Sequence, residues 1–292
     1  MSFERIGFIG LGLMGSAMVE CMQGAGLALG VVANRSRTAV DAAVARGAVE
    51  YGSARALAEA CDLIMLCVDT SESVEARMRG DEGVIAGLQK DAVVVDFGTS
   101  LPGSTRALGD EVAAAGGHML DAPLGRTPSH AREGKLNIMA SGDEAVFDRV
   151  KPVFDVVGEN VFHLGALGTG HTIKLLNNLF GMTVASATAE AFALCDGLGI
   201  DRKQFYDVVA AGPNHSGMMG FVAEYALKGN PEALAFSLVN ARKDVRYATD
   251  MAADADLTSQ TGSAARGLIE SAVDAGAGDR MVSTLIDTLA SD

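Results

Sequence analysis

Short, unbroken apolar runs recur through the first half of the chain, spaced so that a helix fits between each pair. Ile6 to Ile9, Leu29 to Ala33, Asp62 to Val68 and Ala92 to Phe97 read as strands, with Met119 to Leu124 and Leu136 to Ala140 as two more. Leu63-Ile64-Met65-Leu66-Cys67-Val68 and Val93-Val94-Val95 lack the polar alternation of a half-exposed strand. That is the pattern of strands covered on both faces, as in a parallel sheet layered with helices. Helix-compatible stretches lie between them, one ending near Met22, one over 53–60 and one reaching about Leu88.

The pattern changes after Gly165. Gly165, Gly168 and Gly170 approach one long helix predicted over His171 to Leu198, which at 1.5 Å per residue spans roughly 40 Å. Beyond it only helical periodicity is found, over Arg202–Ala211, Gly217–Ala226, Leu238–Ala253, Thr261–Ala275 and Arg280–Leu289. The expected architecture is α/β: an N-terminal doubly wound, mostly parallel sheet over residues 1–164 and an all-α domain over 165–292, joined by the long helix.

Composition narrows the partners. The 292 residues carry 49% hydrophobic and 21% charged residues, enough apolar surface for two cores, and a net charge of -14. That charge argues against nucleic acid and anionic membrane surfaces, which recruit basic faces. No apolar run is long enough to span a bilayer and no signal pattern precedes the first strand, so a soluble cytoplasmic protein is expected. Cys21, Cys61, Cys67 and Cys195 have no paired spacing, and read as buried thiols with neither disulfide frame nor metal site.

The first strand runs into Gly10-Leu11-Gly12-Leu13-Met14-Gly15 and then a helix. This places the glycine fingerprint for a dinucleotide in its strand-to-helix context. Gly10 suits the tight turn, Gly12 the close approach of a pyrophosphate with Leu13 and Met14 beside it, and Gly15 the packing of helix on strand. The second strand ends at Asn34-Arg35-Ser36-Arg37. An NAD site usually has a carboxylate where Asn34 stands, and Arg35 or Arg37 suits a 2′-phosphate. NADP is therefore the first expectation and NAD the second. Cys67, Val68 and Thr99 fall at the carboxyl ends of their strands, where an open α/β sheet binds its ligand; Thr99-Ser100-Leu101-Pro102 fits equally well as a helix start.

Two further stretches carry candidate chemistry. In Gly170-His171-Thr172-Ile173-Lys174-Leu175-Leu176-Asn177-Asn178, Lys174, Asn177 and Asn178 stand at i, i+3 and i+4. One ammonium and two carboxamides therefore share one face of an otherwise apolar helix. Gly125, Arg126 and Thr127 open a loop that runs to Gly134, and a guanidinium leaving a strand end suits an anion. His130, in the same loop, could help to hold that anion, although exposure is the favoured reading.

The glycine loop, Asp96-Phe97-Gly98-Thr99, Asp121-Ala122-Pro123, Lys174-Leu175-Leu176-Asn177-Asn178 and Lys243-Asp244 occur in this order, and in that set the chain resembles the β-hydroxyacid dehydrogenases. The resemblance implies a Rossmann domain followed by a helical domain, in dimers or tetramers. It also implies Lys174 as the catalytic lysine, Asn177 and Asn178 as substrate-binding groups, Thr99 as a cofactor contact and Lys243 as a residue closing over the cofactor. Where much of the family has Ser-Gly-Gly, this chain has Gly125-Arg126-Thr127, similar to the sulfolactaldehyde reductases. Gly98 replaces the usual serine. The substrate expected is a short anionic hydroxy acid or its semialdehyde with a carboxylate, sulfonate or phosphonate head group. The rival readings are an imine reductase of the same architecture, which the lysine at position 174 disfavours, and a non-catalytic cofactor-sensing module.

Overall fold

The computed structural model describes residues 3–33 and 37–289. The chain divides into two compact units, Met1–Lys174 and Leu175–Asp292.

The first unit alternates strand and helix: β1 (Ile6–Ile9), α1 (Leu13–Gly24), β2 (Leu29–Val32), α2 (Arg37–Ala45), β3 (Val49–Tyr51), α3 (Ala54–Ala60), β4 (Leu63–Leu66), α4 (Ser71–Met78), β5 (Val93–Asp96), α5 (Pro102–Ala114) and β6 (His118–Asp121). These six strands form one parallel sheet in the order β3-β2-β1-β4-β5-β6. Strand order reverses between β1 and β4, the switch point at which such sheets open a crevice at their carboxyl ends. The apolar runs are unbroken because both faces are covered. Leu63, Met65, Val93 and Val95 pack into one core with Phe8, Met18 and Phe154. Ile64, Leu66 and Val94 pack into the other with Leu57 and Leu108. Each such side chain contributes about 1.5–3 kcal/mol of transfer free energy.

Three expected elements are divided, one of them the helix read over Arg280–Leu289, which is a 3₁₀ turn over Val282–Thr284 followed by an α-helix over Leu285–Leu289 only. The helix read as reaching Leu88 stops at Met78. At Gly83 a side chain would lie 2.3 Å from the Arg79 carbonyl, so the chain folds back tightly here and resumes as a 3₁₀ turn over Ile85–Gly87. The strand read over Met119–Leu124 breaks at Ala122-Pro123. Ala122 N still donates to the Asp96 carbonyl at 2.8 Å, whereas the Pro123 carbonyl accepts from Met139 N at 3.0 Å. Proline has no N–H to continue the first ladder, and the chain passes into a second sheet.

That sheet is β7 (Leu124–Gly125), β8 (Leu136–Ala140) and β9 (Gly158–His163), with α6 (Pro128–Arg132) and α7 (Glu144–Val157) between them. β7 pairs antiparallel and β9 parallel to β8. Helix α8 (Thr169–Gly197) is continuous over 29 residues, and the division between units falls within it, after Lys174.

The second unit continues with α9 (Arg202–Ala210), α10 (Gly217–Lys228), α11 (Leu238–Asp254), α12 (Gln260–Ala272) and α13 (Leu285–Leu289). Its core gathers Met182, Phe192, Val222, Leu238, Val245, Ile269 and Leu285.

Candidate active site

The glycine loop is shaped by contacts that only glycine tolerates. Gly10 has φ 99°, and a Cβ there would lie 2.3 Å from the Cys67 carbonyl oxygen. A Cβ on Gly15 would lie 1.9 Å from the Gly10 carbonyl oxygen, so α1 sits directly on the loop. Nothing stands within 4 Å of the corresponding point at Gly12. Gly12 is the N-cap of α1 and supplies no side-chain cap, which leaves first-turn N–H groups and the positive end of the helix dipole for an anion. Leu13 is 82% exposed beside it. An open cradle of backbone donors fits the pyrophosphate of a dinucleotide. Asn34, Arg35 and Ser36 lie outside the described residues. Arg37 is tied to Glu50 at 2.7 Å and Asp41 at 2.8 Å.

Cys67 and Val68 follow β4 directly, with Cys67 N donating to the Ile9 carbonyl at 2.9 Å. Burial pushes the Cys67 thiol up to about 12; Asp96 adds to the effect and a hydrogen bond from Gly15 opposes it. Thr99 lies in a loop held from below by Asp96, which accepts from Gly98 N and Ser100 Oγ, each at 2.8 Å.

Beneath that loop is a buried polar cluster that the sequence pattern does not assign. Asp96 and Asp121 are register partners at the ends of β5 and β6, and each is 1% exposed or less. Asp121 accepts from Gly168 N and His171 N, both at 2.7 Å, and from Ser141 Oγ. Ser141 Oγ in turn accepts from Gly170 N at 2.9 Å. The start of α8 is thereby capped by a carboxylate and a hydroxyl, which satisfy donors that a helix terminus otherwise leaves open. His171 is fully buried between the two carboxylates. The aspartates at two consecutive strand ends were a legible signal, but nothing in sequence spacing joins them to His171.

One turn on, Lys174 is partly buried, with Asn177 and Asn178 following on the same helix. Asn177 Nδ2 donates to Asn178 Oδ1 at 3.3 Å, and Asn178 Nδ2 donates to Asp244 Oδ2 at 2.6 Å. Asp244 is 2% exposed. Lys243 Nζ lies 2.9 Å from Asp244 Oδ1 and 5.4 Å from the Tyr247 ring centroid. The second unit thus joins Asn178, Asp244 and Lys243 in one chain of contacts, in which the aspartate fixes the direction of the amide.

Gly125 ends β7 and Arg126 has φ 77°. The Arg126 guanidinium pairs with Glu159 of β9 and donates to the Lys135 carbonyl at 2.7 Å. Thr127 Oγ1 lies 2.7 Å from His130 Nδ1 and 2.8 Å from Ser129 Oγ. His130, read as exposed, is partly buried with its ring held by Thr127, because the loop folds into α6. No group of metal-ligating side chains occurs among the described residues, and no described helix is long and apolar enough to cross a membrane.

Comparison with known proteins agrees with this geometry. Residues 5–165 match the family profile described as the NAD binding domain of 6-phosphogluconate dehydrogenase. Residues 168–289 match that described as NAD-binding of NADP-dependent 3-hydroxyisobutyrate dehydrogenase. The chain is 33% identical over 250 residues to 2-hydroxy-3-oxopropionate reductase of Escherichia coli (strain K12), covering 85% of this chain and 84% of that one. It is 30% identical over 287 residues to the 3-sulfolactaldehyde reductase of the same organism, covering 97% and 94%. The solved structure of Mycobacterium tuberculosis 3-hydroxyisobutyrate dehydrogenase with L-serine superposes with a TM-score of 0.85 at 27% identity, covering 98% of this chain and 99% of that one. The chain belongs to the β-hydroxyacid dehydrogenase family and is an NAD(P)-dependent oxidoreductase acting on the CH–OH group of hydroxy acids.

Proposed function

We propose that this enzyme interconverts a short β-hydroxy acid and its semialdehyde, with Lys174 as the proton-transferring group and Arg126 as the anchor of an anionic head group. Bound NAD(P) supplies the hydride acceptor, and its reduced form the donor. Gly10, Gly12, Leu13, Met14 and Gly15 hold the pyrophosphate, with Cys67, Val68 and Thr99 toward the nicotinamide half and Lys243 closing over it. Lys174 gives a proton to the carbonyl oxygen in reduction and takes it from the hydroxyl in oxidation. Asn178, steered by Asp244 at 2.6 Å, orients the reacting oxygen. Gly125, Arg126, Thr127 and Asn177 receive the acid group and hold the substrate in line.

The observation that carries this reading is the spacing of Lys174, Asn177 and Asn178 on one face of α8, with Asn178 anchored on a buried carboxylate. The two E. coli relatives named above are reductases of short acidic aldehydes, which supports the substrate class. The Gly125-Arg126-Thr127 sequence supports a sulfonate or phosphonate ahead of a carboxylate, since those groups offer three oxygens to a guanidinium. The preference for NADP rests on the uncharged Asn34 with Arg35 beside it. A homodimer or homotetramer is supported by Leu176, Phe180 and Leu194 of α8 with Leu198 just after its end, which are 51 to 73% exposed and form an apolar stripe that a second copy would cover.

The test is a rate panel: NADP- and NAD-linked oxidation of three- and four-carbon hydroxy acids, sulfonates and phosphonates, and reduction of the matching aldehydes. Turnover is expected with short acids that carry a β-hydroxyl and fastest with NADP. Absence of any cofactor-dependent absorbance change across the panel overturns the reading.

A further inference from the structure

We infer that His171 is a positioning residue that locks the loop carrying Thr99 to the start of the helix carrying Lys174, through a buried Asp96–His171–Asp121 bridge. The inference rests on the role proposed above for Lys174.

Asp96 and Asp121 end neighbouring parallel strands, where backbones run about 4.8 Å apart. The His171 ring stands between the two buried side chains: Nε2 lies 3.7 Å from Asp96 Oδ2 and Nδ1 lies 3.7 Å from Asp121 Oδ2.

The ring is held from three sides. Thr105 Oγ1, which also reaches the Leu101 carbonyl at 3.2 Å, lies 2.8 Å from Nδ1. Nε2 has no hydrogen-bond partner among the described residues and faces Asp96 at 3.7 Å.

Each carboxylate organises a different piece of the site. Asp96 holds Gly98 N and Ser100 Oγ, on either side of Thr99. Asp121 holds Gly168 N and His171 N, one turn before Lys174. Thr105 ties the same ring to α5. The bridge therefore sets where the cofactor loop stands relative to the first turn of α8, and a displacement of about 1 Å between reacting groups costs on the order of a hundredfold in rate.

The test is a double-mutant cycle of His171→Gln and Lys174→Ala. It is assayed with NADPH and 2-hydroxy-3-oxopropionate or 3-sulfolactaldehyde, whichever the rate panel shows to be faster, alongside NADPH affinity by fluorescence. Expected is a fall in kcat of about tenfold or more for His171→Gln in the parent. In the Lys174→Ala background the further fall should be less than about twofold, because misplacing an absent amine has no effect. NADPH should also bind several-fold more weakly as the Thr99 loop loosens. An equal fold-loss in both backgrounds, or a parental kcat in His171→Gln, overturns the inference while leaving Lys174 in its role. A near-parental rate in Lys174→Ala removes the proposed function, and this inference with it. If His171→Gln does not fold, Thr105→Val leaves Asp96, His171 and Asp121 in place and removes only the hydroxyl against Nδ1. A several-fold loss of kcat that vanishes in the Lys174→Ala background is then the supporting result, and an unchanged kcat the contrary one.

Discussion

The Arg126 guanidinium is paired with the Glu159 carboxylate, across from β7 to β9, and the same Nη1 also donates to the Lys135 carbonyl at 2.7 Å. A substrate anion that uses Arg126 has to replace Glu159. The pair is partly exposed, and such pairs contribute about 0.2–1 kcal/mol, which a head group with three oxygens can exceed. Glu159→Gln is therefore expected to lower KM for the preferred acid by up to about fivefold, with little change in kcat. Arg126→Ala is expected to raise that KM by about tenfold or more, since charge-assisted hydrogen bonds contribute about 1.5–3 kcal/mol. Steady-state kinetics on the two variants checks both signs, and an unchanged KM in Arg126→Ala places the head group elsewhere.

Lys174→Ala and Lys174→Met should reduce kcat by about two to four orders of magnitude, the usual contribution of a positioned proton donor. NADPH binding should persist, because the glycine loop does not include this residue. Fluorescence titration beside single-turnover rates separates the two effects. Weak cofactor binding with normal chemistry in the ternary complex would contradict the assignment.

Gly15→Ala is expected to abolish dinucleotide binding and lower stability. The new methyl would sit 1.9 Å from the Gly10 carbonyl oxygen and 3.0 Å from the Phe8 ring. Backbone cannot yield as a flexible side chain would, so α1 must lift from β1 and carry its N-terminal N–H groups away from the phosphate position. Gly12→Ala has open space around its Cβ, so it should fold normally and weaken cofactor binding only by crowding the ligand. Thermal denaturation with NADPH titration of both variants checks the contrast: loss of folding stability in the first, and in the second a parental Tm without cofactor.

Much of this arrangement was legible because its causes are local. The Gly10–Gly15 turn, the strands buried on both faces and the spacing of Lys174, Asn177 and Asn178 all follow from short-range periodicity and backbone sterics. The helical second half was legible for the same reason. What escaped depends on tertiary neighbours. Nothing in the sequence joins Glu159 to Arg126, 33 positions apart, or sets His171 between Asp96 and Asp121. The break at Pro123 was visible as a residue, but its consequence, a second three-stranded sheet, required β8 and β9 to be in place. The loop after Gly125 read as irregular because a five-residue helix, α6, is too short to show a period.

The Cys67 thiol links burial to alkaline stability. In the folded chain it is pushed from its ordinary 9.0 up to about 12, chiefly by desolvation and further by Asp96. Between those values the unfolded chain has lost the proton and the folded chain keeps it. The unfolded state therefore binds fewer protons, and stability must fall as pH rises. The contribution is intact below about pH 9 and is lost through the window up to about 12, at about 1.4 kcal/mol per pH unit once the unfolded thiol has ionised. Urea denaturation at pH 8 and pH 10 should show the parent losing about 1 kcal/mol more than Cys67→Ala over that interval. The thiol should also resist alkylation at pH 8 until the chain unfolds, since only the thiolate reacts. Equal pH slopes for parent and variant would mean that the Cys67 thiol ionises as readily in the folded chain as in the unfolded one, and that the contact between the end of β4 and the glycine loop is wetter than the geometry describes.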